Sequence, residues 1–332
     1  MNIYMDNNEK NKVLVDYVKK NIDSLNKYRS YFMGVSMLAV ILFHAYFSWG
    51  GLFVFKYGFI GVDIFLFLSG YGLCFSYNKN TIWKFWKRRF KRIMPQYIVY
   101  ALIATILGFT LSNRNVSVWD LFCNITTLSY YDVGGWFIDW YLAALVIFYV
   151  LFPLLYSIVN LKTFIILLIS ACLFFMFYDT NDIEWKYICF LARIPIFCLG
   201  IVLYRIFVTP PTRDSLRQFS LLIVTIVCLG LFLLLINIFD FIDISKFFVT
   251  SLFTPVFIVI ICWLRKFLPI RIIRIVEFLG VESLMIYLSN NLSQIFMEFV
   301  YFHNPYRLMM YFFLNIVFIG IIYLVKYKRH KI

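Results

Sequence analysis

Phe32–Trp49 reads FMGVSMLAVILFHAYFSW, an apolar run that carries one ionisable side chain, His44, well inside it. A helix needs about 20 mostly apolar residues to cross a bilayer, so the run has the length of a membrane span. At ~1.5 Å per residue, His44 lies roughly 18 Å from the Phe32 end, just past the midplane. An imidazole at that depth has given up its water, and a polar group so placed is kept for a task or for a partner that compensates. A histidine that merely packs two helices together is the competing reading.

The rest of the chain has the same character. Over 332 residues it is 63% hydrophobic, 21% aromatic and only 14% charged, with a mean hydropathy of +0.83. No water-soluble domain of this length has that composition, so the chain is expected to be an all-α, polytopic membrane helix bundle. The net charge of +14 does not point to nucleic acid, because the basic residues sit in short runs between apolar segments, as they do in cytoplasmic loops. The seven cysteines have no paired spacing that suggests a disulfide frame or a metal site.

Apolar periodicity places ten spans near residues 32–50, 57–77, 95–111, 136–158, 163–178, 188–208, 219–239, 247–264, 277–300 and 308–325. Residues 1–30 form a polar N-terminal tail, with a surface helix expected around Val13–Leu25 and no signal-peptide pattern. Residues 31–325 form the membrane domain and 326–332 a basic C-terminal tail. With both termini in the cytoplasm, the segments that fall inside hold about five times as many Lys and Arg as those outside. A miscounted span would scramble that asymmetry.

This topology puts His44 in the outer half of the first span and Asp63 near the outer end of the second. Consecutive spans joined by a short loop are normally neighbours, so Asp63 is expected to hold the imidazole in one tautomer and raise its basicity. Asp139, Arg193 and Glu282 are the other ionisable residues at membrane depth. A second unusual stretch is WKFWKRRFKRIMPQY, Trp83–Tyr97. Its charge suits a topology anchor on anionic lipid. Arg89 and Arg92, at helical spacing i and i+3 just before Pro95 opens the third span, also make a fork suited to phosphate or pyrophosphate.

Five strings occur in order: FIGVDIFLFLSGYGL (Phe59–Leu73), RRFKRIMPQY (Arg88–Tyr97), WYLAALVIFYVLFPLLY (Trp140–Tyr156), RIPIFCLG (Arg193–Gly200) and LGVESLMIYLS (Leu279–Ser289). With the first-span histidine they resemble the acyltransferase-3 family of integral membrane O-acyltransferases, over roughly Tyr28 to Leu324. The resemblance implies a ten-span bundle that moves an acyl group, usually acetyl, from cytoplasmic acyl-CoA to a hydroxyl on the outer side. His44 matches the family's first-span histidine, and Arg89 and Arg92 match its R-x-x-R motif for the acyl donor. Asp63 and Ser69-Gly70 match its G-V-D-x-F-F-x-x-S-G segment.

There are departures. The family arginine eleven positions before the histidine is Met33 here. Arg29 lies ~22 Å before His44 along a continuous helix, turned by about 60°, and is the candidate replacement. Leu145 and Val146 stand where relatives have glutamates in the fourth span, and Asn290 where they have a histidine in the ninth.

The expected assignment is therefore His44 and Asp63 as catalytic residues, with Arg88, Arg89, Arg92 and Arg29 on the coenzyme phosphates. Trp136, Asp139 and Arg193 are expected to face the acceptor, a glycan or lipid-linked saccharide. No metal is expected, acetyl-CoA serves as co-substrate, and a homo-oligomer in a bacterial cytoplasmic membrane is compatible with the sequence. Intramembrane His, Asp, Arg and Glu would also suit a proton-coupled transporter or flippase, although no inverted repeat of broken helices is visible. A non-catalytic member of the same fold is the third alternative.

Overall fold

The computed structural model describes residues 24–49, 52–112, 115–135, 139–177, 183–208, 213–238, 251–300 and 306–329. Trp136 and most of the expected Val13–Leu25 surface helix lie outside these residues. The described residues form helices and their connections, with no strand among them. In chain order they are α1 (Arg29–Trp49), a 3-10 segment (Phe53–Phe59), α2 (Ile60–Asn78), α3 (Ile82–Ser112) and α4 (Val118–Thr126). Then come α5 (Trp140–Ile158), α6 (Leu161–Phe177), α7 (Trp185–Leu191), α8 (Ile194–Phe207) and α9 (Arg213–Ile238). Last are α10 (Thr254–Leu264), α11 (Ile270–Val281), α12 (Ser283–Val300) and α13 (Arg307–Arg329).

Among the described residues, five stretches are long and apolar enough to cross a membrane: Phe53–Asn78, Ile82–Leu111, Trp140–Ile158, Trp185–Phe207 and Arg307–Lys326. The chain is thus an all-α polytopic membrane protein. In such a protein every backbone polar group at membrane depth must be satisfied within the chain, which helices achieve locally.

One expectation about the spans needs correction. Pro95 does not open the third span but lies inside α3, a single helix of 31 residues that starts at Ile82. Proline removes one i→i−4 bond, a loss that membrane helices tolerate where neighbours re-satisfy the backbone. The basic stretch is therefore the first three turns of the span itself. It is tied down by Trp86 Nε1, which donates to the Tyr149 carbonyl at 2.9 Å. The sixth span, expected near 188–208, corresponds to the apolar stretch Trp185–Phe207. It breaks between α7 and α8 at Arg193, with Pro195 in the first turn of α8, where a missing N–H costs nothing.

The described chain divides into two compact units. The first comprises Met1–Arg29, Phe65–Lys79 and Leu151–Ile260. Here α2 meets α8 backbone to backbone, because Gly70 lies on the Phe197 carbonyl and Gly200 on the Phe67 carbonyl and the Tyr71 amide. A Cβ at either position would overlap main-chain atoms. Small residues that admit this approach are how apolar helices gain contact when lipid offers no hydrophobic contrast. That is a packing reason for the Ser69-Gly70 doublet. Arg205 donates to the Tyr156 carbonyl while its guanidinium lies 4.9 Å from the Tyr156 ring centroid.

The second unit comprises Ser30–Ile64, Asn80–Val150 and Ile261–Ile332. In it α12 packs against both α3 and α13. On α13, Tyr311 and Asn315 are buried one turn apart, whereas Phe313 and Ile316 are more than half exposed. The helix therefore turns a polar edge inward and an apolar face to lipid. Between α3 and α5 the chain is held by its own polar groups. Tyr97 Oη donates to the Asn124 carbonyl at 2.8 Å, and Ser117 and Asp120 form a reciprocal capping box at the start of α4. Asp120 also accepts from the Gly135 amide at 2.8 Å.

The Ser117 hydroxyl and the Gly135 and Ser117 amides hold the Asp120 carboxyl below its ordinary value of 3.8. A lowered folded-state value means that the carboxylate stabilises this segment above the ordinary value and loses the contribution as pH falls through the folded one. Hydrogen exchange between Ser117 and Gly135 should accelerate selectively below about pH 4, and Asp120→Asn should remove that acid dependence. An exchange profile that is flat with pH in the wild type would contradict it.

Candidate active site

The polar centre of the second unit is built on α12. Ser289, Asn290, Asn291, Ser293 and Gln294 interrupt its apolar sequence, and helical geometry sorts them onto two edges. Asn290 and Gln294, one turn apart, face His44 of α1. The Nδ1 of His44 lies 2.6 Å from Asn290 Oδ1 and 2.6 Å from Gln294 Nε2. Gln294 Nε2 also donates to Asn290 Oδ1 at 3.1 Å. Behind this pair Asn290 Nδ2 donates to the Tyr311 hydroxyl and, at 3.0 Å, to Asn315 Oδ1. Asn290, Tyr311 and Asn315 are all buried, while His44 is partly so.

The other edge of α12 faces Asp139. Tyr287 Oη donates to Asp139 Oδ1 at 3.0 Å and Asn291 Nδ2 to Oδ2 at 3.3 Å. Asp139 precedes the first residue of α5 and accepts from the Leu142 amide at 3.1 Å. This is the geometry of an N-cap, which satisfies one of the free amides at a helix start. The carboxylate thus fixes where α5 begins as well as offering negative charge to this edge.

The partner expected for His44 is not the one observed. Among the described residues, the ring-nitrogen hydrogen bonds of His44 are with the amides of Asn290 and Gln294, and Asp63 is not among them. The physical reason is that α12, distant in sequence, supplies a neutral acceptor to α1 where chain adjacency suggested the next span. Asp63 itself is fully buried in the first turn of α2. Arg193, 1% exposed, stands at the break between α7 and α8 and donates Nη1 to the Cys189 carbonyl at 3.0 Å. Glu282, between α11 and α12, pairs with Lys326 at 3.0 Å.

Of the arginines, Arg88 and Arg92 are exposed and Arg89 is partly buried, all on the first turns of α3. Arg88 Nη1 donates to Asn80 Oδ1 at 3.1 Å. The Arg89 guanidinium lies 5.8 Å from the Phe85 ring centroid, and its buried Nε has no hydrogen-bond partner among the described residues. Among the described residues no carboxylate pairs with the fork, so its positive charge is open to an anion. Arg29, at the start of α1, belongs to the first unit. Its Nη1 donates to the Leu68 carbonyl at 2.9 Å, and the guanidinium fills the space where a Gly72 side chain would stand.

Tyr287, Asn291, Gln294, Tyr311 and Asn315 were not singled out by sequence reasoning. The signal was present in the run Ser289-Asn290-Asn291-Leu292-Ser293-Gln294, five polar residues out of six inside a membrane segment.

A membrane helix bundle whose polar edges gather on a histidine and a carboxylate, with a basic edge on another helix, defines a class: integral membrane proteins that do chemistry or transport within the bilayer. The family described as "Acyltransferase domain" (acyltransferase-3) matches residues 31–326, and the chain belongs to that family. It is 33% identical over 129 residues to "Peptidoglycan O-acetyltransferase OatA" of Listeria monocytogenes, covering 37% of this chain and 19% of that protein. It is 33% identical over 118 residues to "Acyltransferase MdmB" of Streptomyces mycarofaciens, covering 31% and 30%. It is 28% identical over 143 residues to "O-acetyltransferase OatA" of Staphylococcus aureus, covering 36% and 23%. The matched segments thus span less than a third of these relatives. No solved structure matches.

Proposed function

We propose that the protein is a membrane O-acyltransferase that moves an acetyl group from cytoplasmic acetyl-CoA to a hydroxyl of an extracytoplasmic glycan or lipid-linked saccharide. The observation that carries this reading is His44, hydrogen-bonded by Asn290 of α12 inside the family-matched region. The asymmetry of basic residues supports ten spans with both termini in the cytoplasm, and hence Arg88, Arg89 and Arg92 on the cytoplasmic side.

In this reading the three arginines of α3 bind the coenzyme phosphates. The pantetheine arm extends toward His44. The imidazole accepts the proton of the acceptor hydroxyl as its oxygen attacks the thioester carbonyl; the C–O bond forms, the C–S bond breaks, and the proton passes to the departing thiolate. Asp139, with Tyr287 and Asn291, and Trp136 in the preceding connection form the acceptor side. Asp63 and Arg193, both withdrawn from water, position the helices that carry them. The printed names of the relatives, two of them O-acetyltransferases, support acetyl as the group and a cell-envelope sugar as the acceptor.

Mass analysis of surface glycans from cells with and without this gene tests the assignment. A loss of one or more acetyl groups, restored by the wild-type gene, is expected. Identical glycan masses together with no label transfer from radiolabelled acetyl-CoA supplied to inverted membranes would overturn it.

A further inference from the structure

The hydrogen bonds behind His44 form a directed chain that begins on two main-chain carbonyls, and its direction settles which ring nitrogen holds the proton. A carbonyl oxygen can only accept. Asn315 Nδ2 donates to the Tyr311 carbonyl at 2.9 Å, which fixes that amide and makes Asn315 Oδ1 an acceptor. Tyr311 Oη donates to the Ile41 carbonyl at 3.0 Å, so the hydroxyl offers only lone pairs to its other neighbour. Asn290 Nδ2 faces both Asn315 Oδ1 and Tyr311 Oη and can donate to each. The Asn290 amide is thereby oriented with Oδ1 toward His44. An oxygen at 2.6 Å requires a donor on the ring. Gln294 Nε2 comes equally close to the same nitrogen, but an Nδ1–H cannot accept; Gln294 donates instead to Asn290 Oδ1.

We infer that Asn315, Tyr311 and Asn290 are positioning residues that hold neutral His44 as its Nδ1–H tautomer, leaving the Nε2 lone pair as the base. None of the three touches the reacting atoms. Their effect is to fix which ring nitrogen carries the proton and to aim the basic nitrogen away from α12. A carboxylate in the same place would do this and also stabilise the imidazolium. A neutral amide fixes the tautomer without adding charge at membrane depth, where a lone charge is costly. The consequence for catalysis rests on the acyltransferase reading, whereas the tautomer itself does not.

The test is the ring-nitrogen NMR spectrum of the bilayer-embedded protein labelled with 15N-histidine. His303 and His330, the only other histidines, are replaced by Asn so that His44 alone reports. At about pH 8.5, well above the ordinary histidine value of about 6.5, the ring is neutral. The expected spectrum has a protonated Nδ1 and an unprotonated Nε2. Asn290→Leu and Asn315→Leu should each mix the two tautomers and lower kcat by about tenfold or more, with KM for the acyl donor unchanged. Asn290→Asp, which keeps an oxygen opposite Nδ1, should preserve the Nδ1–H signal. A wild-type spectrum with the proton on Nε2 overturns the inference whatever the activity. So does an Asn290→Leu spectrum and rate equal to wild type. An Nδ1–H signal in a protein that transfers no acetyl group would uphold the tautomer and defeat the enzymatic reading instead.

Discussion

His44→Gln should abolish acetyl transfer while leaving the protein inserted and folded. Glutamine can still donate an amide N–H to Asn290 Oδ1, so the contact that ties α1 to α12 survives. What disappears is the nitrogen that takes a proton. A positioned general base is worth about 10²–10⁴-fold in rate, so turnover should fall by that factor in labelled-acetate transfer assays. His44→Ala removes both the base and the contact and should lose the same activity together with some thermal stability in detergent. Comparing the two substitutions separates chemistry from packing. If His44→Gln retains full activity, the imidazole is a packing residue and the base lies elsewhere.

The second large effect is expected at the basic start of α3. On the proposed reading, Arg89→Ala combined with Arg92→Ala should raise KM for acetyl-CoA far more than it lowers kcat, because the donor's phosphates would be bound there at a distance from the reacting bond. Hydrogen bonds to charged groups contribute about 1.5–3 kcal/mol each, so losing two should raise KM by at least about 10²-fold. The same change should weaken the inhibition that high salt exerts on donor binding, since fewer phosphate contacts remain to be screened. Lysine at both positions keeps the charge but loses the planar fork, and should recover only part of the affinity. A double variant with unchanged KM would reduce the stretch to a topology anchor resting on lipid headgroups.

How legible these features were in the sequence depended on the range of the interaction. The membrane class, the helices and the basic edge of α3 follow from composition and local periodicity, which any short window of the chain displays. Three local details did not follow. Pro95 is a strong helix-start signal in isolation, yet α3 runs through it, because residues on both sides continue the helix. The break at Arg193 was hidden because the flanking residues are apolar on both sides, and Glu282, likewise, ends one helix and begins another. The partner of His44 was assigned to the nearest carboxylate in the chain, when Asn290 is 246 residues away.

That last case marks the division between the two sources of information. From the linear order alone come a polytopic helical bundle, one histidine inside an apolar run, a basic edge and membership of a family, because hydropathy, charge and motif spacing are properties of contiguous residues. Only the folded chain decides that α12 divides its polar run between His44 and Asp139, that Tyr311 and Asn315 of α13 orient Asn290, and that Asp63 is not the imidazole's partner. A side chain's hydrogen-bond partner is set by which helices pack together and at what rotation. In an apolar environment many helix pairings satisfy the same hydropathy pattern, so the choice among them is made by the few polar groups that must find one another.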